Sequence, residues 1–251
     1  MAALRERSDP ARSDPSTHVV VGQEHHPSAL RNRIPILKVL LRELPSDLSG
    51  PALEVATGTA AFLEVLAPAF PELVFQPSEY VPEVAASPEE QWTKHGKIGL
   101  RQGCDELANI DAHCASVFPN CLPAVALDLL EEPWPGVVTG KNGRFALVVC
   151  NNTLHITPWA CSAKLFAGAA KALRPGGFLV TYGPFKMDGK FVGDDGGAGN
   201  ERFDAKLRSV NADWGLRDVG DLEKLAKGNG LELRTAAPMP ANNYTLVFVR
   251  S

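Results

Sequence analysis

The chain has 251 residues, 45% of them apolar and 22% charged, enough to bury one sizeable core, so a single domain with extra segments is expected rather than two. A net charge of −4 and a pI near 5.9 carry no overall electrostatic footprint for nucleic acid or an anionic membrane. No stretch is apolar for long enough to span a bilayer as a helix, and a cytoplasmic protein with a small-molecule partner is expected.

Residues 1–24 mix Arg5, Arg7 and Arg12 with Glu6, Asp9 and Asp14 and add two Asp-Pro turns. This composition lacks the apolar core of a signal peptide and predicts a disordered tail, taken to run through residue 27, ahead of one domain at 28–251. From Ser28, Ile34, Leu37, Leu40, Leu41 and Leu44 recur at helical spacing and Pro45-Ser46 closes the segment, which predicts an amphipathic helix. Arg31, Asn32 and Arg33 fall just before or inside its first turn. There they could reach a ligand lying over a sheet, or simply begin a solvated helix.

Leu53-Glu54-Val55-Ala56-Thr57-Gly58-Thr59-Ala60-Ala61-Phe62 reads as a buried strand with an acidic end, a tight turn and a helix start carrying Phe62, Leu63 and Leu66. With Ala56, Gly58 and Ala60 spaced two apart, the backbone can approach a ligand closely and present its N–H groups. A diphosphate-binding fingerprint would read Gly-x-Gly-x-x-Gly. Here only Gly58 is glycine and Glu54 repels phosphate, so a cationic ligand suits the turn better. Residues 73–79 form a second short strand ending in Glu79, which lies 21 positions after Gly58. At that offset a carboxylate accepts the two ribose hydroxyls of a nucleoside, the alternative being a strand-end carboxylate facing water.

Residues 82–121, broken by proline and glycine and loosely helical from 106 to 118, predict a crossover helix with irregular insertions and no assignable function. Five cysteines, at 104, 114, 121, 150 and 161, are an odd number without CxxC spacing and fit a reducing compartment. Cys104, His113, Cys114 and Cys121 are near one another in sequence, but their spacings match no zinc pattern, so they are read as structural and no metal is expected. Residues 124–128 form a strand ending in Asp128, which could accept a hydrogen bond from the exocyclic amine of a base or serve as a cap or surface carboxylate.

Residues 144–150 are a continuous apolar run, as in a central parallel strand covered on both faces. Asn151, Asn152 and His155 follow at its carboxyl end, where open α/β sheets hold ligands. His155 is therefore a candidate for acid–base chemistry or substrate positioning. Thr157-Pro158 predicts a helix start with a hydroxyl N-cap, the helix running to residue 173 with Leu165, Phe166 and Ala169 on its core face. Residues 178–182 form a fifth strand that brings Tyr182 to the ligand edge. The glycine-rich residues 186–200 predict a mobile loop, and a helix follows near 203–210. Asp218 can cap a helix through Leu222 and Leu225 that stops at Gly228-Asn229-Gly230. The last strands, 231–234 and 244–250, are joined without a helix and must run antiparallel.

The acidic-ended strand with its Gly58 turn, Glu79, Asp128, Asn151, the Leu173-Arg174-Pro175-Gly176-Gly177 turn and the terminal hairpin together resemble the class I S-adenosylmethionine-dependent methyltransferases. More closely, the chain resembles the methyltransferase-like 26, or DUF938, family. The likeness rests on Arg31-Asn32 with Pro35-Ile36-Leu37, Leu53-Glu54-Val55-Ala56, Gln76-Pro77-Ser78 and residues 152–158. It continues in Thr181-Tyr182-Gly183-Pro184, Trp214-Gly215-Leu216-Arg217-Asp218 and Met239-Pro240-Ala241-Asn242-Asn243. It covers roughly residues 28–250.

The resemblance implies an α/β fold: a Rossmann-like, seven-stranded, mostly parallel sheet with an antiparallel C-terminal strand and helices on both faces. It also implies S-adenosylmethionine as cofactor and methyl transfer to a small molecule the family does not identify. Carried over, Glu54, Ala56, Thr57 and Gly58 hold the amino acid part and ribose of the cofactor, Glu79 the ribose hydroxyls and Asp128 the adenine. Asn151 belongs to the same cofactor-binding set. His155 and Tyr182 border the methyl, and Asn32, Arg217 and Asn243 lie on the substrate side. The chain departs from the family by Thr57-Gly58-Thr59-Ala60 in place of a Ser-Gly-Ser-Gly-like run, by Glu79 in place of aspartate, by its sequence after Lys190 and by a longer 82–121 region. Two rival readings are a non-catalytic cofactor-binding or scaffold protein of the same fold and a nicotinamide-dependent oxidoreductase. The broken glycine fingerprint and the terminal hairpin weigh against the second.

Overall fold

A computed structural model of the chain describes residues 25–81, 106–131, 134 and 144–251. The expected disordered tail over residues 1–24, the irregular insertion over 82–105 and Cys104 lie outside the described residues. No described helix is long and apolar enough to cross a membrane.

Seven strands form the main sheet: β1 (Gly50–Val55), β2 (Leu73–Glu79), β3 (Val125–Ala126), β4 (Phe145–Asn151), β5 (Leu173–Gly183), β9 (Leu231–Met239) and β10 (Asn243–Arg250). Their order is β3-β2-β1-β4-β5-β10-β9, with β10 antiparallel to both of its neighbours and the β1, β2, β3, β4 and β5 pairings all parallel. This is the Rossmann-like plan that the resemblance implied. The apolar run of β4 is buried along its whole length except for Asn151, as a central strand covered on both faces must be.

Among the described residues, three helices cover one face of the sheet: α1 (Pro27–Glu43), α2 (Leu63–Ala69) and α3 (Glu106–His113). Ile36, Leu40, Leu63, Leu66 and Ile110 meet Leu147, Val149, Val180 and Tyr182 there. The opposite face is covered by α4 (Trp159–Ala172) and α6 (Val219–Gly228), whose Leu165, Phe166, Ala169, Leu222 and Ala226 meet Val148, Leu179 and Phe248. Each fully buried leucine or phenylalanine contributes about 1.5–3 kcal/mol, so both faces are needed to hold the sheet.

Several local expectations are corrected. α1 begins at Pro27, with His26 Nδ1 accepting the Ser28 N–H at 3.2 Å, so Arg31, Asn32 and Arg33 lie a turn inside the helix. Leu41 faces solvent, while Ile36 and Val39 take the inward positions. The Thr157 hydroxyl is no N-cap: it donates to the carbonyls of Thr153 (3.1 Å) and Leu154 (3.3 Å), and α4 starts behind Pro158. β3 ends at Ala126, leaving Asp128 in the following turn.

The largest correction concerns residues 186–200, expected as a mobile loop. β6 (Phe185–Met187) and β7 (Lys190–Phe191) form a hairpin across Asp188 and Gly189, whose φ values of 51° and 74° are those of a tight two-residue hairpin turn. β8 (Arg217–Asp218) pairs with β6 in parallel, giving a second, three-stranded sheet. Asp195 then accepts the N–H groups of Gly197 (3.2 Å) and Gly199 (2.7 Å) at the start of α5 (Ala198–Val210). Asn200 donates to the carbonyls of Val192 (3.0 Å) and Asn242 (2.9 Å), tying the segment to the β9–β10 turn. The predicted Asp218 cap is present: its Oδ1 accepts the Gly220 N–H at 2.9 Å, and its Oδ2 accepts the Gly189 N–H at 2.6 Å.

Candidate functional site

The turn after β1 alternates left-handed residues: Ala56 at φ 55°, Gly58 at 63° and Ala60 at 63°. For the two alanines this conformation costs roughly 1–2 kcal/mol each, so neighbouring bonds must hold it. Those bonds come from the end of β2. The Thr57 N–H donates to Ser78 O (3.0 Å), the Ser78 N–H to Thr57 Oγ1 (3.2 Å) and the Ser78 hydroxyl to Glu54 O (2.8 Å). Glu79 completes the set, its Oε2 accepting the Gly58 N–H at 2.6 Å and its Oε1 the Tyr80 N–H at 3.0 Å.

Both strand-end carboxylates are buried. Burial pushes the Glu79 carboxyl up, partly offset by its two backbone donors. Burial pushes Glu54 up to about 8, against a lowering hydrogen bond from Thr57. Glu54 Oε2 is buried and has no hydrogen-bond partner among the described residues, and the same is true of both amide atoms of Asn151 at the end of β4. Unpaired buried polar atoms are costly, and here they meet beside a turn whose small residues leave room for a ligand. A zwitterion with an ammonium or sulfonium group matches this donor and acceptor set.

Asp128 lies at the same end of the sheet, because the Leu127 N–H donates to Glu79 O at 2.8 Å. Its Oδ1 accepts the Leu130 N–H at 2.8 Å. Asn151 is in register with Tyr182, and both leave the sheet on the face that α1 covers. Burial pushes the Tyr182 phenol up to about 12, against the nearby Arg31 charge and a hydrogen bond with the Asn243 side chain. Asn243 Nδ2 also donates to the carbonyls of Pro240 and Ala241, each at 3.1 Å. Asn32 is buried on α1, one position after Arg31. Tyr182, Asn243, Asn151 and Glu54 thus share one face of the sheet, with the Arg31 charge close enough to act on Tyr182.

His155 and Arg217 sit elsewhere. His155 occupies the 3-10 turn Leu154–Ile156, its ring packed against Phe203 (centroids 5.6 Å apart) and over Gly183, where a Cβ would come within 3.3 Å of Nδ1. Gly183 faces away from Tyr182 on β5, so His155, packed against Gly183, lies on the face of the strand opposite the Tyr182 side chain. Burial, with a smaller contribution from Arg217, lowers the His155 pKa to about 4, so the imidazole is neutral near pH 7. The Arg217 guanidinium donates to the carbonyls of Leu154 (2.9 Å) and Thr157, clamping the His155 turn. Sequence reasoning did not single out Gly183, Phe203 or Asn152 for their packing. Asn152, at φ 54°, donates its N–H to Tyr182 O (2.7 Å), and the Asn-Asn doublet at a strand end was its signal.

Several solved structures share this fold. TnmH superposes with a TM-score of 0.59 at 20% identity over 89% of this chain and 56% of that one. The magnesium protoporphyrin IX methyltransferase ChlM from Synechocystis PCC 6803, solved with S-adenosylhomocysteine, gives a TM-score of 0.56 at 13% identity over 88% of this chain and 83% of that one. NcsB1, an O-methyltransferase from neocarzinostatin biosynthesis solved with S-adenosylmethionine and 2-hydroxy-5-methyl naphthoic acid, gives 0.54 at 15% identity over 89% and 55%. The chain spans little more than half the length of TnmH and NcsB1. A family model described as "Protein of unknown function (DUF938)" matches residues 23–250, and the chain belongs to that family.

Proposed function

We propose that the protein transfers the methyl group of S-adenosylmethionine to a small-molecule acceptor. One observation carries this reading: the left-handed turn after β1 gathers a buried, unpartnered Glu54 oxygen, Glu79 and the orphaned Asn151 amide at the carboxyl ends of β1, β2 and β4. Bound S-adenosylmethionine supplies an electrophilic sulfonium methyl. Glu54 and Asn151 would hold the charged amino acid end, with Ala56, Thr57 and Gly58 lending backbone. Glu79 keeps lone pairs free for ribose hydroxyls after accepting Gly58 and Tyr80, since a carboxylate offers about four acceptor sites. Asp128 would take the adenine amine.

The chain's own contribution to the reaction is to position the acceptor and exclude water. Tyr182, with its pKa near 12, keeps its proton and donates a hydrogen bond toward the acceptor. Arg31, Asn32 and Asn243 suit an acceptor bearing a carboxylate or phenolate, in keeping with the hydroxynaphthoic acid held by NcsB1. His155, a neutral imidazole packed on the face of β5 opposite Tyr182, stays apart from this acceptor side, and Arg217 holds the 154–157 turn that carries it. The buried, unpaired thiols of Cys114, Cys121, Cys150 and Cys161 suit a reducing, cytoplasmic setting.

The test is a turnover screen of hydroxylated aromatic acids with release of S-adenosylhomocysteine as readout. We expect at least one acceptor to turn over, with Tyr182→Phe lowering kcat by roughly tenfold, the value of one lost transition-state hydrogen bond. Saturable cofactor binding with no turnover across the screen would favour the non-catalytic reading.

A further inference from the structure

Outside the cofactor turn, three ligating side chains converge: His25 just before α1, Glu64 in the first turn of α2 and His113 at the end of α3. We propose that they form a binding site for one zinc-class divalent ion that staples α1, α2 and α3 beneath the cofactor turn. This inference does not depend on the methyl-transfer reading.

The geometry is the first argument. His25 Nε2 lies 2.9 Å and His113 Nδ1 3.2 Å from the same Glu64 oxygen, and all three ligating atoms lie within 4.8 Å of one another. A tetrahedral zinc with bonds of about 2.0–2.1 Å separates its ligands by roughly 3.3 Å, so the two Glu64 separations need to open by only a few tenths of an ångström, while the two ring nitrogens, within 4.8 Å of each other, close in by side-chain rotation. Two imidazole nitrogens and one carboxylate oxygen suit zinc and its neighbours rather than calcium or magnesium, which take oxygen ligands.

The surrounding contacts are the second argument. His25 Nδ1 sits 2.9 Å from Thr59 Oγ1, which orients the ring and lets the N–H reside on Nδ1, leaving Nε2 as the ligand. Arg33 donates to the other Glu64 oxygen at 2.8 Å, the kind of support that ligating carboxylates receive. The two histidine side chains are about 1% exposed and that of Glu64 17%, so a fourth position can be filled by water from the carboxylate's side. His113 Nε2 is buried without a partner among the described residues, so the contact at Glu64 is what holds this ring's polar edge. Burial would push the Glu64 carboxyl up, yet hydrogen bonds from His113 and His25 and the charges of His25 and Arg33 hold it well below the usual carboxylate range. Because His25 also touches Thr59, an ion here would brace the same turn that Glu79 holds from the other side.

The experiment uses the full chain, free of any affinity tag and stripped with chelator, titrated with Zn²⁺ and with Co²⁺ as a spectroscopic probe. We expect one equivalent per chain and a melting temperature higher by roughly 5–10 °C at hundredfold excess over Kd. His25→Gln and His113→Gln should each weaken binding at least about tenfold. Should either variant fold poorly, the wild-type cobalt protein remains decisive: its proton NMR spectrum should show two strongly shifted, exchangeable imidazole signals. No stoichiometric binding would overturn the proposal and leave a closed network in which the imidazoles donate to Glu64. Binding untouched by both substitutions, or a thiolate-to-cobalt charge-transfer band, would also overturn it by moving the ion to other ligands such as Cys114.

Discussion

Glu54 and Glu64 flank the same turn, ten positions apart, and are held in opposite electrostatic states. Glu54 is the second-to-last residue of β1, with one oxygen buried and unpartnered among the described residues, and its pKa is pushed up to about 8. Glu64 opens α2 among Arg33, His25 and His113 and is held ionised well below the usual range. Burial opposes the charge at both sites, so the difference lies in the partners. Glu64 already has its partners from the chain, whereas the buried Glu54 oxygen has no partner among the described residues. One carboxylate therefore builds the fold around the turn, and the other is the one the proposed function assigns to the ligand.

The largest expected effect comes from breaking the built side. Glu64→Ala leaves Arg33, His25 and His113 without their shared acceptor and should cost about 3 kcal/mol of unfolding free energy, read by urea denaturation. Next is Glu79→Ala, which strands the Gly58 and Tyr80 N–H groups and loosens the left-handed turn, for about 2 kcal/mol in the same assay.

Glu54 sharpens the comparison through pH. Its folded value lies above the free value of 4.5, so it contributes stability that is fully present below pH 4.5 and lost as the pH rises through about 8. Melting curves of wild type should therefore fall across that window more steeply than those of Glu54→Gln. Cofactor affinity should move the other way: binding a cation requires the carboxylate, so affinity rises by up to about tenfold per pH unit below pH 8 and levels off above it. The smallest effect is a gain. Ala60→Gly relieves a left-handed alanine, worth roughly 1–2 kcal/mol, but removes a fully buried methyl worth about 0.8 kcal/mol, and should leave a net gain below about 1 kcal/mol in denaturant melts.

How far the residues themselves announced this arrangement differs between the two sides. β2 was readable to its last residue, because a short run bounded by Pro71 and the acidic Glu79 has few other conformations. Glu54 and Glu79 followed from their positions at strand ends. The Glu64 cluster was not readable, since His25 and His113 come from 39 and 49 positions away and only the packing of α1 and α3 on α2 brings them together. The hairpin in residues 186–200 carried its signal in Asp188-Gly189, hidden among surrounding glycines, but its pairing with β8 is tertiary and two residues long. Arg217 looked like a substrate-side cation, and only the structure shows its guanidinium committed to the Leu154 and Thr157 carbonyls.

The central claim, that the turn after β1 is a cofactor site for methyl transfer, is tested most directly by calorimetric titration with S-adenosylmethionine and S-adenosylhomocysteine, on wild type and Glu79→Ala. The account predicts saturable binding of both ligands to wild type, weakened by at least about 30-fold in the variant, equivalent to about 2 kcal/mol. Absence of binding at millimolar ligand, or equal binding by a folded Glu79→Ala, would contradict it.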